Sequence, residues 1–126
     1  MDRRSVCWAR VVRRERPSNY APGRGDVVWM QFGPGAGHEQ GGHRPALVLS
    51  PRDYNARTGL LVCCPITSKR KDYPFEVVVE ADAVRGVVLA DQVRSVDWKH
   101  REARLAGAAV GAADRVARIV GRLIEA

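Results

Sequence analysis

Residues 60–66 read Leu-Leu-Val-Cys-Cys-Pro-Ile, a nearly continuous apolar run that begins after Gly59 and ends at Thr67. A run of this length and composition predicts a β-strand that is buried on both faces. Pro65 has no backbone N–H, so we expect strand pairing to end there or to continue at a sheet edge.

Other segments rich in β-branched and aromatic residues predict further strands on both sides of this run. They are Asp26–Phe32, Pro45–Ser50, Phe75–Val79, Gly86–Leu89, Asp91–Trp98 and Glu102–Leu105. Five glycines and one proline between Gly33 and Gly42 predict a long flexible loop. Residues 51–59 predict a turn or a short helical turn.

The end of the chain changes to a helical period. Apolar residues at i, i+3, i+4, i+7 and i+8 predict an amphipathic helix from about Ala112 to Glu125, with Asp114 in its first turn. They are Val116, Ile119, Val120, Leu123 and Ile124. The fold predicted from these elements is mainly β, a small, curled, barrel-like sheet with a C-terminal helix packed on it.

The positive charge is concentrated at one end of the chain. The protein has 126 residues, enough for one domain, and a formal net charge of +7. Residues 1–24 hold seven arginines against Asp2 and Glu15, whereas the remainder has 14 basic and 12 acidic residues. We therefore expect residues 1–19 to be a basic, disordered extension and residues 20–126 to be the domain. The extension is either a solvated tail or an arm that adds salt-dependent affinity for RNA.

Several classes of protein are disfavoured by the sequence. No apolar run approaches the ~18 residues of a membrane span, and no signal-peptide core follows the basic start. The odd set of Cys7, Cys63 and Cys64 favours neither a disulfide framework nor a zinc site, so we expect a cytoplasmic protein without membrane association. His38, His43 and His100 lack nearby ligands, so no metal site is predicted. Cys63 and Cys64 are expected to be small buried side chains rather than nucleophiles.

The glycine-rich segment 37–45 is the first candidate site. It brings together Glu39, Gln40, His43 and Arg44 within a few residues. Glycines allow close approach of a ligand, and a guanidinium at the start of a strand suits a phosphate. The alternative is a solvated hairpin loop in which Arg44 pairs with Glu39.

A second candidate follows the apolar strand. Thr67 and Ser68 offer two hydroxyls that can bind phosphate oxygens or cap a turn. Three basic residues follow, Lys69, Arg70 and Lys71. They are expected either to contact a nucleic-acid backbone or to be ordinary surface charge. The aromatic residues offer stacking faces for bases or belong to the core.

Taken together, these segments resemble the MazF/PemK family of toxins, the mRNA interferases of bacterial toxin–antitoxin pairs. The resemblance covers about residues 20–126. It rests on YAPGRGDVVW at 20–29, EQGGHRPALVLS at 39–50, Tyr54-Asn55, Thr58-Gly59, CPITS at 64–68, YPFEV at 73–77 and LADQVRS at 89–95.

The resemblance implies an SH3-like or CcdB-like barrel that forms a homodimer, needs no cofactor and cleaves single-stranded mRNA without a metal. By match, it implies that Arg44 and Thr67 are catalytic, with Glu39 a further catalytic candidate and His43 a weaker base. The residues expected to bind RNA are His43, Gln40, Ser68, Lys69, Arg70 and Gln92. Leu89 departs from the PemK branch, where an arginine is paired with an aspartate, so the mechanism should follow the MazF branch. A cognate antitoxin is the implied partner.

Two other functions remain open from the sequence alone. One is a CcdB-like toxin that binds DNA gyrase on the same fold. The other is a non-catalytic RNA-binding module led by the arginine arm.

Overall fold

The computed structural model describes residues 20–126, so the predicted extension at 1–19 lies outside the described residues. Within 20–126 there are seven strands, two α-helices and one 3₁₀ turn. In chain order they are β1 (Asp26–Gln31), β2 (His43–Val48), α1 (Arg52–Thr58), β3 (Leu60–Thr67), β4 (Glu76–Ala81), β5 (Val84–Leu89), the 3₁₀ turn (Ala90–Gln92), β6 (Arg94–Asp97), β7 (Arg104–Ala108) and α2 (Val110–Glu125).

The strands form one antiparallel sheet in the order β4-β5-β3-β2-β1-β7, with β6 also paired to β3. The sheet curls until its two outer strands approach each other. A Cβ atom added at Gly107 in β7 would lie 2.9 Å from Asp82 Oδ2 and 3.1 Å from Ala81 Cβ. Only glycine permits this close approach. The curled sheet and terminal helix confirm the predicted mainly β, barrel-like fold.

Strand β3 is buried on both faces, as its sequence predicts. Cys64 and Ile66 belong to a core cluster that packs against α2, where Val116 is fully buried. Cys63 and Leu61 belong to a second cluster that includes Met30 and Trp98. Because successive side chains point to opposite faces of a strand, the apolar run supplies both clusters at once.

Pro65 lies where β3 changes its partner. Residues 63–65 of β3 pair with β2, and Ile66 and Thr67 pair with β5. Pairing with β2 therefore ends at Pro65, while the strand itself continues to Thr67. This changeover brings the polar residues that follow the apolar run next to β5.

Several predicted boundaries in the second half of the chain are wrong. The predicted strand at Asp91–Trp98 begins only at Arg94, because residues 90–92 form a 3₁₀ turn. The last strand begins at Arg104 rather than Glu102, because Glu102 has φ of 52° in a turn. The terminal helix begins at Val110, so Asp114 lies beyond its first turn and forms an ion pair with Arg24 at 3.1 Å.

Candidate active site

A cleft of about 830 Å³ opens where the ends of β2 and β3 meet the loops that follow β1 and β3. Seven of the nine site residues predicted from the sequence line it: Gln40, His43, Arg44, Thr67, Ser68, Lys69 and Gln92. The other two, Glu39 and Arg70, are outside this lining. Glu39 is exposed on the loop after β1. The fold thus brings together two segments that are more than twenty residues apart in sequence.

Arg44 and Thr67 both line the cleft, just beyond the paired part of the β2–β3 ladder. The pairing ends at Ala46 and Pro65, and the Arg44 side chain reaches the backbone of Ile66, the residue before Thr67. Arg44 Nε donates to Gly41 O at 2.9 Å, and Nη1 donates to Ile66 O at 3.4 Å. These bonds fix the guanidinium at the cleft and leave its other N–H groups available to an anion. Within residues 20–126, the expected alternative of an ion pair between Arg44 and Glu39 is not formed.

Thr67 caps a turn and still keeps a donor. The backbone N–H of Lys69 donates to Thr67 Oγ1 at 3.2 Å. A hydroxyl that accepts one hydrogen bond retains its own proton for donation. The two interpretations of this threonine, turn cap and phosphate ligand, are therefore compatible.

The glycine-rich loop at 33–42 folds back on itself. The N–H of Gly42 donates to Gly33 O at 2.7 Å, and both glycines have positive φ, at 82° and 78°. Gln92 holds the loop from outside: its Oε1 accepts from the N–H of Gln40, and its Nε2 donates to His38 O, each at 3.0 Å. In this conformation both ends of the Gln92 amide are used by the loop backbone, which makes Gln92 a positioning residue.

The aromatic residues are divided between core and cleft. Trp98 is 7% exposed, and its Nε1 donates to Asn55 O at 2.8 Å. Trp29 is 38% exposed, lines the cleft and stacks on His43, with ring centroids 5.5 Å apart and an interplanar angle of 13°. The stacked pair offers a flat aromatic wall beside Arg44.

Three charged residues of the lining were not predicted from the sequence: Glu76, Asp91 and Arg85. Asp91 accepts from Tyr73 Oη at 2.8 Å, and this hydrogen bond raises the pKa of the Tyr73 phenol above its ordinary value. Glu76 accepts from the N–H of Lys71 at 3.1 Å and so orders the loop after β3. The only sequence signal for Asp91 was its place in the 89–95 motif.

Neither cysteine of the described chain is suited to nucleophilic chemistry. Cys63 and Cys64 are buried, and desolvation by burial raises the pKa of each thiol from 9.0 to about 12. A nucleophilic cysteine needs its thiolate form near neutral pH. In residues 20–126, no group of three or more His, Cys, Asp or Glu side chains is placed to hold a metal ion. The same residues contain no helix that is long and apolar enough to cross a membrane.

Comparisons with known proteins agree with this geometry. Residues 23–125 match the family model described as PemK-like, MazF-like toxin of type II toxin–antitoxin systems. The endoribonuclease toxin MazF of Escherichia coli K12 is 51% identical over 90 residues, which cover 71% of this chain and 81% of that protein. The crystal structure of MazF (form I) from Deinococcus radiodurans superposes with a TM-score of 0.78 at 52% identity and covers 85% of this chain and 99% of the other. A MazE–MazF structure (form II) from the same organism gives a TM-score of 0.73 at 53% identity, with coverage of 84% and 97%.

The match extends over nearly all of the described chain, including both strands and both loops that build the cleft. It confirms the family, the fold and the class of endoribonuclease toxin expected from the sequence. This chain belongs to the PemK-like, MazF-like toxins of type II toxin–antitoxin systems.

Proposed function

We propose that the cleft around Arg44 and Thr67 cuts single-stranded mRNA at specific sequences by using the RNA's own 2′-OH as the nucleophile. The observation that carries this proposal is the presence of an anchored guanidinium and a threonine hydroxyl in one cleft, with the guanidinium bonded to the residue before the threonine. Both groups have donors left for one phosphate. They come from two of the segments that carried the family resemblance in the sequence.

The reaction needs no group beyond the substrate and the side chains. The 2′-oxygen attacks the adjacent phosphorus and loses its proton to a base, and the bond from phosphorus to the 5′-oxygen breaks as that oxygen takes up a proton from a general acid or from water. The products are a 2′,3′-cyclic phosphate, which water can open to a 3′-phosphate, and a 5′-hydroxyl. Arg44 stabilises the negative charge that develops on the phosphorane, and Thr67 orients a phosphate oxygen. Metal independence follows because RNA carries its own nucleophile.

Two side chains compete for the role of base. Glu39 is the candidate from the family resemblance, whereas His43 is the one that lines the cleft in the conformation described. Glu39 lies between His38 and Gln40, whose backbone Gln92 holds, so it reaches the substrate only when the loop moves. Glu39→Gln and His43→Gln, compared at saturating RNA, identify the base as the residue whose loss lowers kcat.

The other predicted residues bind RNA around this centre. Polar and cationic groups of the cleft wall come from Gln40, Ser68 and Lys69. The stacked rings of Trp29 and His43 form its aromatic part. Gln92 acts through the loop, and Arg70 acts beyond the main cleft. Because all of these residues lie within 20–126, we propose that this part of the chain suffices for cleavage.

We propose a cognate antitoxin as the protein partner, supported by the MazE–MazF structure to which this chain is similar. An mRNA-cutting toxin acts in the cytoplasm of the cell that makes it, so it requires a partner that restrains it. We further propose a homodimer, as the family resemblance implies. Leu123 and Ile124 on α2 are 43% and 77% exposed and offer apolar surface for such contacts.

Purified protein incubated with a long mRNA in EDTA tests the function, with primer extension to map the cuts. Discrete cuts, with 5′-hydroxyl ends, support the proposal. Binding of gyrase without RNA cleavage would favour a CcdB-like toxin, and RNA binding without cleavage would favour a non-catalytic module. The cleft contacts described above favour neither alternative.

A further inference from the structure

Arg85 connects the active-site cleft to a second cleft. It lies on β5 and lines both the main cleft and a smaller one of about 280 Å³. Ser68 also lines both, so the two clefts adjoin along this pair of residues. From the sequence, Arg85 was expected just before the strand at Gly86–Leu89, and no role was assigned to it.

Lys69 and Arg85 bring two positive charges to the lining of one cleft. Pairing of β3 with β5 ends at Thr67 and Val87, so Lys69 lies in the loop just beyond the ladder and Arg85 lies two residues from Val87 on β5. Like charges that line one cleft repel each other. Within residues 20–126, neither side chain forms an ion pair. An anion between the two side chains would remove this repulsion.

The second cleft carries further positive side chains, on the side away from the active site. Arg70 and Arg85 line it, together with Glu80, which pairs with Arg85 across the ladder without forming an ion pair. Arg70 forms an exposed pair with Asp72 at 3.3 Å, and such exposed pairs contribute little. Val78 is 48% exposed and forms an apolar wall of this cleft. Two guanidinium groups beside an apolar wall suit a nucleotide, which has an anionic backbone and an apolar face.

We propose that Lys69, Arg85 and Arg70 form a second phosphate subsite that guides the RNA strand out of the active-site cleft. Arg85 binds a phosphodiester next to the one that is cleaved, so it contributes to RNA affinity and not to the chemical step. The proposal deepens the proposed RNA cleavage and rests on it.

Phosphate interference tests the subsite. An RNA oligonucleotide is made around a cleavage site mapped on a long mRNA, with the reacting 2′-OH replaced by hydrogen so that it binds uncut. A series of these oligonucleotides carries one neutral methylphosphonate at successive flanking positions. Binding is measured for the wild-type protein, for Arg85→Gln, and for Arg118→Gln as a control, because Arg118 is exposed on α2 and lines neither cleft.

In the wild type and in Arg118→Gln, we expect one flanking methylphosphonate to raise Kd roughly tenfold; in Arg85→Gln the same change should cost less than about twofold. The salt slope of binding should fall by about 0.7 in Arg85→Gln, as for one lost single-strand phosphate contact. Glu80→Gln should tighten binding, because it removes the carboxylate that faces Arg85 across the β4–β5 ladder.

The subsite would be overturned if, at every methylphosphonate position, the loss of affinity in Arg85→Gln equalled the loss in the wild type. An unchanged salt slope of binding in Arg85→Gln would also overturn it. The subsite would also be overturned if Arg85→Gln bound an acidic protein more weakly than the wild type does but bound RNA equally well. Failure of the proposed function gives a different result, since the wild-type protein itself would then leave the mRNA uncut.

Discussion

Gly86 packs its backbone directly against the carbonyl group of Thr67. A Cβ atom at Gly86 would overlap Thr67 O and lie 3.0 Å from the Thr67 carbonyl carbon and 3.4 Å from Ser68 Cα. Strand β5 therefore supports the hydroxyl-bearing end of β3 from behind. The position of Thr67 therefore depends on the absence of a side chain at Gly86 as well as on β3 itself.

Gly86→Ala should lower kcat/KM for RNA cleavage by about 10 to 100-fold, because the added methyl group displaces Thr67 from the phosphate. The matched control is Gly121→Ala, since a Cβ at Gly121 in α2 meets open space. The control should keep full activity and gain stability. Thermal unfolding distinguishes displacement from loss of fold, and full activity in a folded Gly86→Ala would contradict the support role.

Gln92 should control the order of the loop at 33–42. In Gln92→Ala, hydrogen exchange of the Gln40 amide should accelerate about tenfold or more, because its acceptor is removed. RNA binding should weaken more than kcat changes. Gln92→Glu keeps an acceptor for Gln40 but loses the donor to His38 O, so it should give an intermediate result. Unchanged exchange in Gln92→Ala would show that the loop is held by its own glycines.

Asn55 should be the most sensitive polar residue of the fold. It is fully buried, accepts from Ser50 Oγ at 2.6 Å and donates to Pro22 O at 2.8 Å. Asn55→Ala removes the acceptor of the Ser50 hydroxyl proton and the donor to the Pro22 carbonyl in the interior, and should cost about 2–4 kcal/mol of unfolding free energy. Arg57→Ala, which breaks only an exposed pair with Asp53 in the same helix, should change it by less than about 0.5 kcal/mol. Urea denaturation of both variants measures the difference, and equal losses would refute the role of the buried network.

The two buried cysteines should make stability fall at high pH. Burial raises each thiol pKa from 9.0 to about 12, so above pH 9 the unfolded chain releases protons that the folded chain retains. This contribution is complete below pH 9 and is lost as pH rises toward 12. Cys63→Val should flatten the decline, measured by urea unfolding between pH 8 and pH 10.5, a range set by those ordinary and raised values. An identical pH slope in wild type and variant would contradict the assignment.

The apolar run at 60–66 was enough to predict the central strand, and helical periodicity predicted the terminal helix. The side-chain types at 37–45 and 67–68 marked two candidate sites, and the family resemblance implied that both serve one catalytic centre. The contacts that shape the cleft could not be predicted, because they join residues far apart in sequence. Gln92 reaches Gln40 across 52 positions. Arg85 gains its position from the pairing of β5 with β3, and nothing in its neighbours along the chain indicates that pairing. The 3₁₀ turn at 90–92 was also missed, because Asp91 and Gln92 were assigned to the start of the strand that begins at Arg94.

The central claim is that Arg44 supplies the charge that stabilises the cleaved phosphate of RNA. The most direct measurement is single-turnover cleavage of a mapped RNA oligonucleotide in EDTA by the wild type, Arg44→Ala and the surface control Arg118→Gln. We predict metal-free cleavage to a 2′,3′-cyclic phosphate and a 5′-hydroxyl, with a rate lower by about 10²-fold or more in Arg44→Ala and unchanged in Arg118→Gln. Cleavage by folded Arg44→Ala at nearly the wild-type rate, or cleavage that requires an added divalent ion, would contradict the account.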